Sequence, residues 1–278
     1  MEKIHMSRTW FLTGASRGLG AHWAEAILAR GDRLAATARD TAALEPLAER
    51  YGDRLLPLRL DVRDSGAVRE AVRRAEVMFG GIDVLVNNAG HMLTGAVEEV
   101  GEEQAREQMD VNFFGALWVT RAVLPGMRER RAGRILQVSS IGGLVAYPAL
   151  GIYQASKWAL EAMSEALAAE VAAYGIRVTL IEPIMFPTDL AAASPQVRPD
   201  PVYAHAREAL YAGAAASGFA PGDPAATADA LLSLADTPEP PVRALFGTGG
   251  LEALRTEYSG RLAGLRQWDH IARLAQGK

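Results

Sequence analysis

Cysteine is absent from the 278 residues, which excludes disulfides, thiolate nucleophiles and cysteine-held metals. No apolar run reaches the roughly eighteen residues needed to cross a bilayer, so no membrane partner is expected. The five histidines lack metal-like spacing, and no metal site is expected. Charge of one sign is also scarce: a formal net charge of -4 gives no electrostatic reason to expect nucleic acid. The one basic cluster, Arg128-Glu129-Arg130-Arg131-Ala132-Gly133-Arg134, has a glutamate inside it and reads as a solvated helix end before a strand. There is no internal repeat and no linker rich in serine or glycine. Residues 1–6 lack the apolar core of a signal peptide. His5-Met6 before Ser7 resembles a cloning remnant, so part of that stretch is expected to be vector-derived. The default location is the cytoplasm.

What is present is an ordinary globular composition, 49% apolar and 22% charged, long enough for one α/β domain over 7–278. Strand-like runs are expected at Thr9–Thr13, Arg33–Ala38, Leu55–Leu60, Val84–Asn87, Ile135–Ser139, Val178–Glu182 and Arg243–Gly247. Between them lie helix-period stretches at Ala21–Arg30, Ser65–Phe79, Gln104–Met127 and Tyr153–Tyr174. This alternation predicts a parallel sheet with helices on both faces. Gly31 and Gly175 stand where helix C-caps are expected, and Pro125 is expected to end or kink the third long helix. The proline-framed segment 188–222 breaks the rhythm and reads as an irregular insertion, and a helix is expected near Asp223–Ala235. From Gly250 onward a helical tail is expected, at a subunit interface or over a pocket.

Three stretches carry chemistry. Ser139-Ser140-Ile141-Gly142-Gly143 precedes Tyr153-Gln154-Ala155-Ser156-Lys157, with Ser140 thirteen positions before Tyr153. On a helix, Tyr153 and Lys157 lie one turn apart on one face. A free tyrosine titrates near pH ~10 and is a poor acid or base at neutrality; a neighbouring lysine is expected to pull it down toward the working range. Near the N-terminus, Gly14-x-x-x-Gly18-x-Gly20 follows an apolar strand and opens a helix. That context forms a phosphate cradle, because glycines admit the pyrophosphate and the helix start offers unpaired N–H groups.

Together with Asn87-Asn88-Ala89-Gly90, these motifs resemble the short-chain dehydrogenase/reductase family over nearly the whole chain. The resemblance implies a single-domain Rossmann fold, doubly wound, with a seven-stranded parallel sheet. It implies a general acid/base at Tyr153, a carbonyl-holding hydroxyl at Ser140 with Ser139 as the alternative donor, and a lysine at Lys157 that also binds the nicotinamide ribose. Asn112 would position a water linking the lysine to solvent, or simply fill a helix kink. Gly14, Ser16, Arg17, Gly18, Leu19 and Gly20 would form the phosphate loop. Asp61 and Val62 would edge the adenine, and Asn88, Ala89 and Gly90 the adenosine ribose. Pro183 and Thr188 would border the nicotinamide. His91 is expected in the pocket wall.

Nucleotide choice turns on the end of the second strand, where NAD sites place a carboxylate and NADP sites an arginine. By the resemblance, Ala38 occupies the place of the carboxylate and Arg39 follows it, while Arg17 resembles a second basic residue of NADP-preferring members. Asp40 argues the other way, since a one-residue slip would turn it toward the ribose. NADP(H) is favoured, and NAD(H) is the alternative. One departure stands out: Ile184 replaces the glycine that usually follows Pro183, and Pro187 stiffens the approach to Thr188. β-Branched residues take positive φ with difficulty, so the backbone there is expected to differ.

The expected activity is interconversion of a ketone and a secondary alcohol. Met92, Leu93, Leu144, Tyr147, Leu150 and Phe186 suggest a hydrophobic substrate, and Arg198 or Arg207 is the only candidate grip for a carboxylate. A nucleotide-sensing binding protein and an epimerase or dehydratase are the competing classes. The helices at Gln104–Met127 and Tyr153–Tyr174 form the usual dimer surface of the family, so a homodimer or homotetramer is expected.

Overall fold

A computed structural model describes residues 7–188, 190, 194–217 and 219–277. The stretch 1–6 expected to be partly vector-derived lies outside the described residues, as do positions 189, 191–193 and 218 of the expected insertion and the last position of the range 7–278.

Seven parallel strands form one sheet in the order β3-β2-β1-β4-β5-β6-β7. They are β1 (Thr9–Thr13), β2 (Arg33–Ala38), β3 (Leu55–Arg59), β4 (Val84–Asn87), β5 (Gly133–Val138), β6 (Ile176–Pro183) and β7 (Arg243–Phe246). A sheet covered on both faces needs continuously apolar strands rather than alternating ones. β1 shows this: all five of its residues are buried. Its side chains alternate between faces, so Trp10 and Leu12 join a core with Trp23, Ile27 and Leu231, while Phe11 joins a second core with Val68, Val119 and Ile135.

The helices are α1 (Gly18–Ala29), α2 (Glu45–Tyr51), α3 (Ser65–Phe79), α4 (Glu102–Met109), α5 (Ala116–Arg130), α6 (Gly151–Val171), α7 (Ala204–Ala216), α8 (Thr227–Asp236), α9 (Gly250–Gln267) and α10 (Asp269–Ala275). Caps explain several ends. Asp64 Oδ1 accepts from the N–H groups of Gly66 and Ala67 at the start of α3. Gly80, at φ +81°, closes it in the left-handed region that glycine enters freely.

Three expectations change. The single helix over Gln104–Met127 is two helices joined by a π turn at Asp110–Gly115. Pro125 does not end α5, which runs on to Arg130. Its missing N–H frees the carbonyl of Arg121, and both residues are exposed, so water can serve that oxygen. The segment 188–222 is not wholly irregular, because its alanine-rich stretch forms the 13-residue α7.

The order of strands reverses between β1 and β4, which both leave the sheet at the same edge. In open α/β sheets a crevice forms at that reversal, beyond the carboxyl ends of the strands. Gly14 follows β1 there and Asn88 follows β4.

Candidate active site

A cavity of ≈ 1050 Å³ opens at this reversal and runs from Arg39 and Asp61 at one end to Ser140, Tyr153 and Phe186 at the other. Its first wall is the turn after β1. Gly14 and Gly18 hold φ of +68° and +56°, conformations that other residues adopt at a cost. Ala15 N–H donates to Thr37 O at 2.9 Å, which ties the turn to β2. Asn88 Nδ2 donates to the carbonyls of Thr13 (3.0 Å) and Gly14 (2.9 Å), locking the end of β4 to the same turn. Gly20 does not line the cavity. It sits behind it, where a Cβ would strike the Gly14 carbonyl and come within 2.7 Å of Asn88 Nδ2. Ser16, Arg17, Leu19, Ala89, Gly90 and Thr188 do line the cavity, and Thr188 Cβ lies 3.6 Å from where a Gly18 Cβ would stand.

Arg17, Arg39 and Asp40 are exposed at the far end. Asp40 Oδ1 already accepts from Ala42 N–H at 3.0 Å, so that carboxylate oxygen serves its own turn. Asp61 is not a free carboxylate either. Arg63 grips it with a fork of bonds, the shortest 2.6 Å, and also reaches Glu107 at 3.1 Å. This hydrogen bonding, with smaller help from the charges of Arg63 and Arg39, holds the Asp61 carboxyl below its usual range. Arg63 was missed in the sequence, although its place two residues after Asp61 was a signal. Val62 is buried beside it.

At the chemical end, Ser140 caps a short 3-10 turn, its Oγ accepting from Gly142 N–H at 3.0 Å. The same hydroxyl lies close enough to Tyr153 to favour its ionised form. Both serines line the cavity, with Ser139 Oγ lying toward Glu161 and Gly143. Lys157 is buried and donates from Nζ to Val138 O at 2.8 Å.

The expected lowering of Tyr153 by Lys157 is not what the structure shows. Burial raises the Tyr153 pKa, the Ser140 hydroxyl offsets part of that rise, and Lys157 is not among the influences. Desolvation penalises any charged form and wins here because Tyr153 is 6% exposed. The same burial drags Lys157 down to about 8, with Glu161 acting against it.

Asn112 sits in the π turn, 2% exposed and off the cavity wall. Its Oδ1 accepts from His91 N–H (3.0 Å) while Nδ2 donates to His91 O (3.0 Å) and Ser156 Oγ (3.1 Å). The side chain therefore clamps the strand-end loop to α6 and has little left for a water. A π turn also displaces a carbonyl from the helix ladder. His91 lines the cavity as expected, its pKa lowered by burial.

Ile184 keeps a backbone outside the positive-φ region. It extends the ladder of β6, donating to Phe246 O at 3.0 Å. Room for its side chain comes from Gly250 opposite, where a Cβ would lie 2.5 Å from Ile184 Cδ1. Pro183, Met185 and Phe186 complete this wall. Met92, Tyr147 and Leu150 face the cavity, whereas Leu93 and Leu144 are packed away from it at 2% and 4% exposure. Arg207 is spent on Glu99 (2.5 Å) and the Asp200 carbonyl (2.6 Å), and Arg198 stands off the wall, so neither grips a carboxylate in the cavity.

A glycine turn at the strand reversal and a buried tyrosine, serine and lysine at the other end of one cavity define a nucleotide-dependent oxidoreductase. The family model described as "short chain dehydrogenase" matches residues 8–198, and the chain belongs to that family. It is 39% identical over 264 residues to Oxidoreductase BOA17 of Botryotinia fuckeliana, covering 93% of each chain. A crystal structure of a short-chain dehydrogenase from Streptomyces avermitilis matches with a TM-score of 0.88 and 37% identity, over 96% of this chain and 98% of that one. The 3-ketoacyl-(acyl-carrier-protein) reductase of Brucella melitensis, solved with NADH, matches with a TM-score of 0.73 at 28% identity, over 86% and 95%. No helix among the described residues is long and apolar enough to cross a membrane.

Proposed function

We propose that this enzyme is an NADP(H)-dependent carbonyl reductase that converts bulky, apolar ketones into secondary alcohols. The observation that carries the reading is Tyr153: buried, in one cavity with Ser140, Lys157 and the glycine turn.

The chain's own features suit the dinucleotide. Gly14 and Gly18 leave their turn open to a pyrophosphate, and Arg17 and Arg39 stand exposed where a 2′-phosphate would lie. Ala38 stands in place of a carboxylate, and one oxygen of Asp40 is engaged by Ala42 N–H rather than turned to the ribose. Asp61 and Val62 would edge the adenine, Asn88, Ala89 and Gly90 the ribose, and Pro183 and Thr188 the nicotinamide. The bound nucleotide supplies the hydride.

Tyr153 keeps its proton at neutral pH because burial opposes the phenolate, so it can hand that proton to an alkoxide oxygen. Ser140 Oγ, in the same cavity, holds the carbonyl oxygen in place. Lys157 contributes a charged donor at the floor. Asn112 acts through its clamp on His91 and Ser156, which holds the loop after β4 against α6. Met92, Tyr147, Leu150, Met185 and Phe186 select for apolar bulk. Phe114, Trp118 and Trp158, on or beside α5 and α6, support a homodimer or homotetramer; Phe114 and Trp158 remain 37% and 39% exposed in the single chain. Sedimentation will settle that.

The test is consumption of NADPH and, separately, NADH with a graded panel of ketones. The reading expects NADPH to be consumed fastest with bulky apolar substrates. Tight nucleotide binding without consumption by any carbonyl compound would favour a nucleotide-sensing role instead.

A further inference from the structure

Lys157 rests on a buried charge cluster that the proposed reaction leaves unused. Tyr153, Lys157, Glu161 and Glu165 recur every four residues along α6 and share a face. The first three are buried, at 6%, 6% and 4% exposure. Beneath them β7 brings Arg243, whose guanidinium bonds Glu161, Glu182 of β6 at 2.8 Å and Glu165 at 3.0 Å. From the other side, the end of β5 brings Ser139. A Cβ on Gly143 would lie 2.7 Å from Ser139 Oγ and 2.9 Å from Glu161 Oε1, so the two oxygens flank one spot. Neither completes a hydrogen bond, although Ser139 is close enough to favour the ionised carboxylate.

Three carboxylates thus share one guanidinium, and among the described residues Lys157 is the next cation along this face of α6, with His91 after β4 also feeling its charge. A buried ammonium whose one bonded partner is the Val138 carbonyl is costly unless an anion compensates it. We propose that Glu161 is a positioning carboxylate that keeps Lys157 protonated, with Arg243 and Glu182 setting how much charge Glu161 carries. The inference rests on Lys157 being the active-site cation. Burial, then Glu182, push Glu161 up to about 7, against Ser139 and Arg243. Glu161 is the group that opposes the fall of Lys157 to about 8. The two groups therefore exchange charge state in adjacent pH ranges. A carboxylate that merely anchored Arg243 would leave the lysine's titration untouched.

The chain has three lysines, Lys3, Lys157 and Lys278, so ε-carbon-labelled lysine gives three signals, and Lys157→Met identifies the one of interest. In ligand-free wild type that signal should titrate near pH 8 with a smaller step near pH 7 as Glu161 ionises. Glu161→Gln should move the main titration down by about one pH unit and delete the step, since a close opposite charge shifts a pKa by roughly 1–3 units. Glu165→Gln, the same charge change one turn farther at an exposed site, should move it by less than about 0.3 unit. The alkaline limb of kcat/KM should follow the Glu161→Gln shift while NADPH affinity at pH 6.5 stays within about twofold. An unmoved Lys157 signal in folded Glu161→Gln overturns the proposal, as does an equal shift in Glu165→Gln. Should Glu161→Gln fail to fold, a wild-type signal without the step near pH 7 overturns it. The titration needs no substrate, so a failed ketone assay and a failed Glu161 effect are told apart.

Discussion

At the adenosine end of the cavity, Arg17, Arg39, Asp40 and Arg63 are exposed, and the carboxylates there are answered by nearby donors. At the chemical end, Tyr153 and Lys157 are buried and few groups answer them. The two ends therefore shift their titrating groups by opposite means. Asp61 is lowered chiefly by its hydrogen bonds to Arg63, whereas Tyr153 and Lys157 move chiefly because water has been removed. One end gives recognition that salt can screen; the other gives reactivity that depends on exclusion of water.

The sharpest way to break this comparison is Lys157→Ala, since in the proposed reading the lysine both supports the chemistry and holds the nucleotide. Turnover should fall by roughly 10²-fold or more, and NADPH affinity should fall with it in equilibrium titration. A loss confined to one of the two would show that the ends are not joined through this residue.

Next in size is the pair Ala38→Asp with Arg39→Ser. A charge-assisted contact to the 2′-phosphate is worth roughly 1.5–3 kcal/mol, so kcat/KM with NADPH should fall about 10- to 150-fold while NADH use holds or improves. A wild type that already prefers NADH would mean that Asp40, not Arg39, governs the strand end.

A gentler probe is pH. Burial leaves the Lys157 ammonium intact below about 8 and lost above it, and Tyr153, raised by burial, keeps its proton throughout that range. Ketone reduction should therefore hold from pH 7 to about 8 and decline beyond, read as the alkaline limb of kcat/KM. A rate that climbs through pH 9 would point to a phenolate base instead. Smallest of all should be Asp40→Asn: its oxygen serves Ala42 N–H, so the NADPH-to-NADH ratio should move by less than about threefold, as expected for an exposed charge.

The seven strands were legible because both faces of the sheet are covered, which writes each strand as a short apolar run. Helix α7 was not, since prolines on either side disguised an alanine-rich stretch whose helicity depends on what it packs against. Tyr153 and Lys157 could be set on one face by their spacing, being on one helix, while Ser140 was picked out only by the family resemblance. Ser139, Glu161, Glu182 and Arg243 come from four separate elements, and no local spacing announces such a meeting. The sign of the Tyr153 shift was misread for the same reason: proximity to Lys157 is visible in the sequence, but the depth of burial is not. Ile184 replaced an expected glycine, and its compensation lies more than sixty residues later, at Gly250.

The separation of the two ends is tested most directly by Tyr153→Phe, with NADPH binding and ketone turnover measured on the same preparation. The ring and its packing remain while the proton donor is gone. NADPH affinity should stay within about twofold, and kcat should fall by ~10²–10⁴-fold. A variant that keeps more than about a tenth of the wild-type rate, or one that loses the nucleotide along with the rate, would contradict the account.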